Sequence, residues 1–221
     1  MTKNYLIIFT ILFCFFSCDR PLSLVKYNGK TMGTEYNIKL FIKEKSKAVT
    51  FKMQIEKLLT SVNNQMSTYQ KDSEISYFNK LDRLGAVKIS EDFFYVTKYS
   101  LSLAHKTGGI YDPTIGPLVN LWGFGPDGKR KVPSRDKLEK VKMYVGHYNI
   151  LMNEKERSIS KKIKGVYLDL SSSAKGFAVD KIAQLLDKKT ITSYMVEVGG
   201  EVRAKGLKPG KKPWKIAIDT P

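Results

Sequence analysis

The sequence predicts an α+β fold, with strands and helices mixed in one unit. Three observations carry that expectation. Tyr36, Ile38, Leu40 and Ile42 alternate with polar neighbours at the period of a half-buried strand. Close behind them, Phe51, Ile55, Leu58, Leu59 and Val62 fall at helical spacing. Further on, Val166, Leu168 and Leu170 share one face of an extended run that passes through three serines into another helix. No internal repeat or low-complexity linker divides the chain, and 221 residues with 42% hydrophobic content suffice to bury a core.

The first element is a leader. Lys3 supplies a positive start, and Tyr5 to Phe16 forms an apolar stretch too short for an ordinary transmembrane helix. It runs into Phe15-Phe16-Ser17-Cys18, which resembles a cleavage site for signal peptidase II. On this reading residues 1–17 are a lipoprotein signal peptide and Cys18 becomes the lipidated first residue. Asp19 beside it would hold the protein at the inner membrane, facing the periplasm. The alternative is an ordinary secretory peptide in which Cys14 and Cys18 are apolar filler. With Cys14 removed and Cys18 acylated, disulfides and cysteine-ligated zinc are excluded.

Residues 18–28 are expected to be a tether and 29–221 the folded domain. Within it the patterning predicts a strand over 34–42 and a helix over 47–65. A second helix starts at Ser90, a good N-cap, and runs through Phe93, Phe94, Leu101 and Ala104 until Gly108-Gly109 stops it. A third follows Ser134. Gly165 to Leu170 reads as a strand, 174–187 as a helix, and Tyr194 to Lys205 as two short strands broken at Gly199-Gly200. Trp214, Ile216 and Ile218 alternate as a last strand.

The formal net charge of +17 invites a nucleic-acid reading. The lysines are scattered, however, through clusters such as Lys129-Arg130-Lys131, Lys161-Lys162 and Lys211-Lys212, and no nucleic-acid-binding motif accompanies them. They read as a solvated surface with no nucleic-acid partner. Attraction of a tethered protein to an anionic lipid surface is the functional remainder.

Four segments carry chemistry. In Asp169-Leu170-Ser171-Ser172-Ser173-Ala174-Lys175-Gly176 a helix N-terminus is surrounded by hydroxyls and an ammonium group, which suits an anion. The serines equally well cap the helix while Asp169 pairs with Lys175. The run from Gly108 to Pro126 is dense in glycine, proline and aromatic residues, which predicts a loop and no regular helix. It reads either as a shaped apolar loop for a flat heteroaromatic ligand or as an Ω-loop packed on itself. Thr31-Met32-Gly33-Thr34 and Met66-Ser67-Thr68-Tyr69, the latter followed by Asp72-Ser73-Glu74-Ile75-Ser76 and Phe78-Asn79, are by themselves ordinary turn and cap chemistry.

In this order, and with Tyr194 to Gly200 and Trp214 to Pro221, these blocks resemble the ApbE family over about residues 30 to 221. Members of that family transfer the FMN half of FAD to a threonine hydroxyl of a target protein, using magnesium. The resemblance implies FAD contacts at Met32, Tyr69, Ile110, Tyr111, Asp112, Asp169 and Lys175, and a magnesium contact through the Ser172 backbone carbonyl. It also implies that Glu197 and Glu201 stand where other residues are common. His105, at the end of a helix where an imidazolium suits the dipole, and His147, beside Gly146, read as structural. The family's histidine, and the aspartate and threonine that complete its metal site, lie past the position of Pro221. The C-terminal portion and the catalytic residues are therefore expected beyond this chain, and a form ending at Pro221 is expected to transfer FMN slowly or not at all. The implied partner is a membrane redox subunit flavinylated on threonine. Rival readings are an FAD pyrophosphatase yielding FMN and AMP, and a flavin-binding lipoprotein without catalysis.

Overall fold

The computed structural model describes residues 21–126 and 128–217. The leader, Cys18, Asp19 and Ile218 lie outside them. In chain order, β1 (Ser23–Thr31) and β2 (Thr34–Ile42) are followed by α1 (Ala48–Met66) and α2 (Glu74–Lys80). Next come β3 (Val87–Lys88), α3 (Glu91–Lys106), α4 (Gly116–Leu121) and α5 (Arg135–Lys142). The remainder is β4 (Ile150–Asn153), β5 (Ser158–Lys161), α6 (Ser171–Lys188), β6 (Tyr194–Val198) and β7 (Glu201–Lys205).

The main sheet has the order β1-β2-β6-β7, antiparallel throughout. Its hairpin turns at Met32-Gly33, where both residues have positive φ, 51° and 71°. That backbone twist suits a two-residue hairpin. Glycine adopts it freely, whereas methionine is strained there, so Met32 is held by the turn and by packing on the core.

The register sets Tyr36 opposite Val198, Ile38 opposite Val196 and Leu40 opposite Tyr194, and all six are buried. The apolar stripe of α1 (Phe51, Ile55, Leu59, Val62, Met66) and that of α6 (Ala178, Val179, Ile182, Ala183, Leu186) cover this face. Each large side chain so buried contributes about 1.5–3 kcal/mol. On β7 the same face carries Arg203 and Lys205, which pair with Asp180 at 2.6 Å and Asp187 at 3.0 Å on α6. The sheet therefore closes on ion pairs at that edge. A smaller sheet of order β3-β5-β4 stands apart from the main one.

Several expectations are corrected. The tether expected over 18–28 is already strand from Ser23, because Val25 and Tyr27 face Leu40 and Ile38 across the hairpin. Residues 166–170 alternate between buried and half-buried as a strand would, but they pair with no strand. Asn79 takes the partner's place: its amide donates to the Leu168 carbonyl at 2.8 Å and accepts from the Leu168 N–H at 2.7 Å. Helix α6 starts at Ser171, so the serines form its first turn and do not precede it. Inside the glycine-rich run Gly116–Leu121 is helical, since Pro117 sits in the first turn, where its missing N–H costs nothing. Ser90 does precede α3, but its hydroxyl makes no cap bond; its backbone N–H donates to Glu74 at 2.8 Å. Residues 213–217 form no strand, although Trp214 packs on Phe41 with ring centroids 5.9 Å apart.

Candidate functional site

The Met32-Gly33 turn, the C-terminal end of α1 and the first turn of α6 meet around a cavity of about 790 Å³, lined by Met32, Tyr69, Ser171 and Lys175 among others. A smaller cavity of about 380 Å³ adjoins it, sharing Thr68, Tyr69 and Ser171, and is lined by Ile110, Tyr111, Asp112, Asp169 and Ser172. All eight residues singled out within the domain thus line one two-chambered cleft. The loop that carries three of them is anchored at the end of α3, where the Gly109 N–H donates to the Ala104 carbonyl at 2.8 Å.

One wall of the cleft is apolar yet open. Ile110 is 93% exposed and Tyr69 64%, with Phe124 and Ile115 also exposed beside them. Large apolar groups left in water around a cavity mark a ligand seat more often than an unfinished core. The opposite wall is polar. Tyr111 joins the first turn of α6 through its hydroxyl, which lies 3.2 Å from Ser172 and Ser173, and Ser173 reaches the buried Ser100 of α3 at 3.2 Å.

The two aspartates are more committed than the sequence suggests. Asp112 accepts from the Thr114 N–H at 2.8 Å and hydroxyl at 2.6 Å, and from the His147 N–H at 2.8 Å. Its carboxylate is an internal brace between the loop and the segment before β4. His147 lies 3.5 Å from the same carboxylate, and His105 sits exposed in the last turn of α3; both fit structural roles. Asp169 accepts from the N–H and hydroxyl of Ser171 through one oxygen, capping α6 and offsetting part of the positive end of its dipole. Its other oxygen has no protein donor among the described residues. Lys175 does not pair with Asp169; it donates to the Gly199 carbonyl at 3.2 Å, which places an ammonium group at the larger chamber. Glu197 accepts from the Gly200 N–H and from Asn37, both at 2.8 Å, so it braces the β6–β7 turn. Glu201 is exposed.

Magnesium requires about six oxygen ligands in near-octahedral array. Among the described residues no group of three or more histidine, cysteine, aspartate or glutamate side chains gathers to hold a metal. The Ser172 carbonyl and the second oxygen of Asp169 do not amount to such a set. No helix among the described residues is long and apolar enough to cross a membrane.

Thr68, Thr114 and Asn79 fall within the blocks singled out from the sequence but have no role of their own there, and Tyr167 lies outside them. Thr68 is buried and lines both chambers. Its only trace in the sequence is its place beside Tyr69. Thr114 was legible as the partner of Asp112 two residues earlier, an ordinary Asx-turn spacing. Tyr167 is half-buried, with Asn120, Asn79 and Thr68 around its hydroxyl; burial chiefly pushes its pKa above the ordinary 10.0.

Comparison with known proteins adds to this geometry. The model of the ApbE family matches residues 32–221. An FAD:protein FMN transferase of Haemophilus influenzae is 42% identical over 211 residues, which cover 93% of this chain and 61% of that one. One of Vibrio cholerae is 42% identical over 224 residues, covering 99% and 66%. The solved structure of the flavin transferase ApbE from Vibrio cholerae superposes with a TM-score of 0.86 at 41% identity, covering 91% of this chain and 65% of that one. The chain thus spans roughly three fifths to two thirds of these relatives.

Proposed function

As the chain belongs to the ApbE family, we propose that it forms the flavin-holding part of an FAD:protein FMN transferase. The observation that carries this reading is the convergence of Met32, Tyr69, Ile110, Tyr111, Asp112, Asp169 and Lys175 on one cleft. The open apolar wall of Ile110, Tyr69 and Phe124 suits the faces of a flat heteroaromatic ring. The first turn of α6, whose Ser171 lines both chambers with Lys175 nearby, suits a pyrophosphate.

The reaction is phosphoryl transfer. The hydroxyl oxygen of a threonine on the target attacks the FMN phosphorus, forming a P–O bond. The phosphoanhydride bond on the opposite side breaks, AMP leaves with the electron pair, and the hydroxyl proton passes to a base. Lys175 offsets charge on the phosphate oxygens, and Asp169, held in place by Ser171, offers its second oxygen as an acceptor. Magnesium is implied by the family, but the donors in this chain do not fit it by themselves, and no step here depends on it. The target is a membrane redox subunit. Lipidation at Cys18 would hold the enzyme at the inner membrane on the periplasmic side, which brings it to such a target.

The test incubates the enzyme, at the length of its relatives, with FAD, magnesium and a threonine-containing acceptor, and weighs the acceptor. An added FMN supports transfer. Free FMN and AMP with an unmodified acceptor would indicate pyrophosphatase activity, and unchanged FAD would indicate binding without catalysis.

A further inference from the structure

Lys129-Arg130-Lys131 reads from the sequence as solvated surface, yet it lies beside the cleft. Resting on the flavin-transfer reading, we propose that the groove walled by Lys71, Lys80, Lys129 and Lys131 docks an acidic segment of the protein acceptor and so presents its hydroxyl to the cleft. The groove has a volume of about 1060 Å³ and shares Thr68 and Tyr69 with both chambers. Four lysines line it, and no carboxylate stands among its described lining residues.

Both lysine banks are built into the fold. Gly123 has φ +78°, and a Cβ there would stand 2.1 Å from the Lys129 carbonyl. Only glycine lets the chain double back so closely. The returning segment is tied to the end of α4 by the Lys131 N–H, which donates to the Trp122 carbonyl at 3.3 Å. On the other bank the Lys80 ammonium donates to the Lys71 carbonyl at 2.7 Å. Between them the exposed Asn120 supplies an amide suited to a peptide backbone.

Like charges along a groove raise its potential and attract the opposite sign. The groups suited to phosphate, namely the first turn of α6 and Lys175, line the larger chamber and not this groove. On this side the groove is lined by the C-terminal residues Asn79 and Lys80 of α2, and a helix C-terminus offers no free N–H groups to a phosphate. Lysines on flexible stems therefore meet carboxylates carried on side chains better than they enclose a nucleotide.

Fluorescence anisotropy with two labelled threonine-containing peptides, one bearing glutamates and the other lysines at the same positions, reads this directly. The glutamate peptide is expected to bind at least about tenfold more tightly, and that preference to shrink between about 50 and 300 mM salt. Lys71→Glu with Lys131→Glu changes only exposed side chains. It is expected to reverse the preference while leaving FAD affinity within about twofold, because neither residue touches the flavin chambers. Equal binding of the two peptides would overturn the proposal, and so would FAD affinity falling in step with peptide binding. Charge-reversible capture of the glutamate peptide by a protein that fails to bind FAD would support the groove and contradict the flavin reading.

Discussion

The Tyr69 hydroxyl donates a hydrogen bond of 3.0 Å to the Phe124 carbonyl, tying the end of α1 to the loop on the far side of the cleft. One residue therefore supplies both a ring at the mouth and a strap across it. The two contributions separate by mutation. Tyr69→Phe keeps the ring and is expected to weaken FAD binding only about threefold to tenfold, the loss of one exposed hydrogen bond. Tyr69→Ala also removes the stacking surface, and a loss of about 1–3 kcal/mol follows. Equal affinities of the two variants in a fluorescence titration would mean that the ring does not contact the flavin.

Asp112 acts as a brace. Asp112→Ala leaves the Thr114 hydroxyl and the His147 N–H without their acceptor, a cost of about 1–3 kcal/mol. Thermal stability and FAD affinity should then fall together, with Asp112→Asn between the two. An unchanged melting temperature beside lost FAD binding would return the carboxylate to the ligand.

Asn79→Ala removes both hydrogen bonds to the buried Leu168 peptide. Leaving a buried N–H and C=O unpaired costs on the order of 2 kcal/mol or more. Hydrogen exchange at Leu168 and Asp169 should speed up while the amides of β2 and β6 stay protected. Equal acceleration everywhere would show that Asn79 supports the whole core and not this segment.

Tyr194 gives a pH test. Its hydroxyl is pushed up to about 12, chiefly by burial and then by its hydrogen bond to Asp187. A raised folded pKa means that its stabilisation is complete below the ordinary 10.0 and is lost as pH climbs toward about 12. The margin of the wild type over Tyr194→Phe should be flat from neutral pH to about 10, then shrink by on the order of 2 kcal/mol. A margin that grows with alkalinity would contradict the assignment.

Much of this was legible in the sequence, and the exceptions have physical reasons. Strand β2 appears over the residues its alternation predicts, and α1 within one residue of its predicted ends, because both bury one face in a single core. Residues 166–170 kept the strand pattern without strand pairing, since alternation reports which side chains are buried and not what satisfies the backbone. There a side chain, Asn79, took the partner's part. Pro117 misled in the opposite sense, because proline at a helix start favours the turn that it would break further in. The site residues came from matching blocks to a family, and local chemistry did not reveal that Asp112 turns inward to His147. A contact between residues so distant in sequence leaves no local trace. The Lys129–Lys131 cluster looked like solvated surface for the same reason. Its neighbours Lys71 and Lys80 lie far away along the chain.

On the proposed function, the cleft between the Met32 turn, Tyr69, the Ile110–Asp112 loop and the first turn of α6 is the seat of FAD. Titration of the folded protein with FAD and separately with NAD, followed by flavin fluorescence and by calorimetry, tests it most directly. Saturable binding of FAD and much weaker binding of NAD are expected, with the FAD affinity reduced about tenfold or more by Lys175→Ala, since a charge-assisted contact to phosphate is worth about 1.5–3 kcal/mol. A folded protein that binds FAD no better than NAD, or that binds it equally well without the Lys175 ammonium, would contradict it.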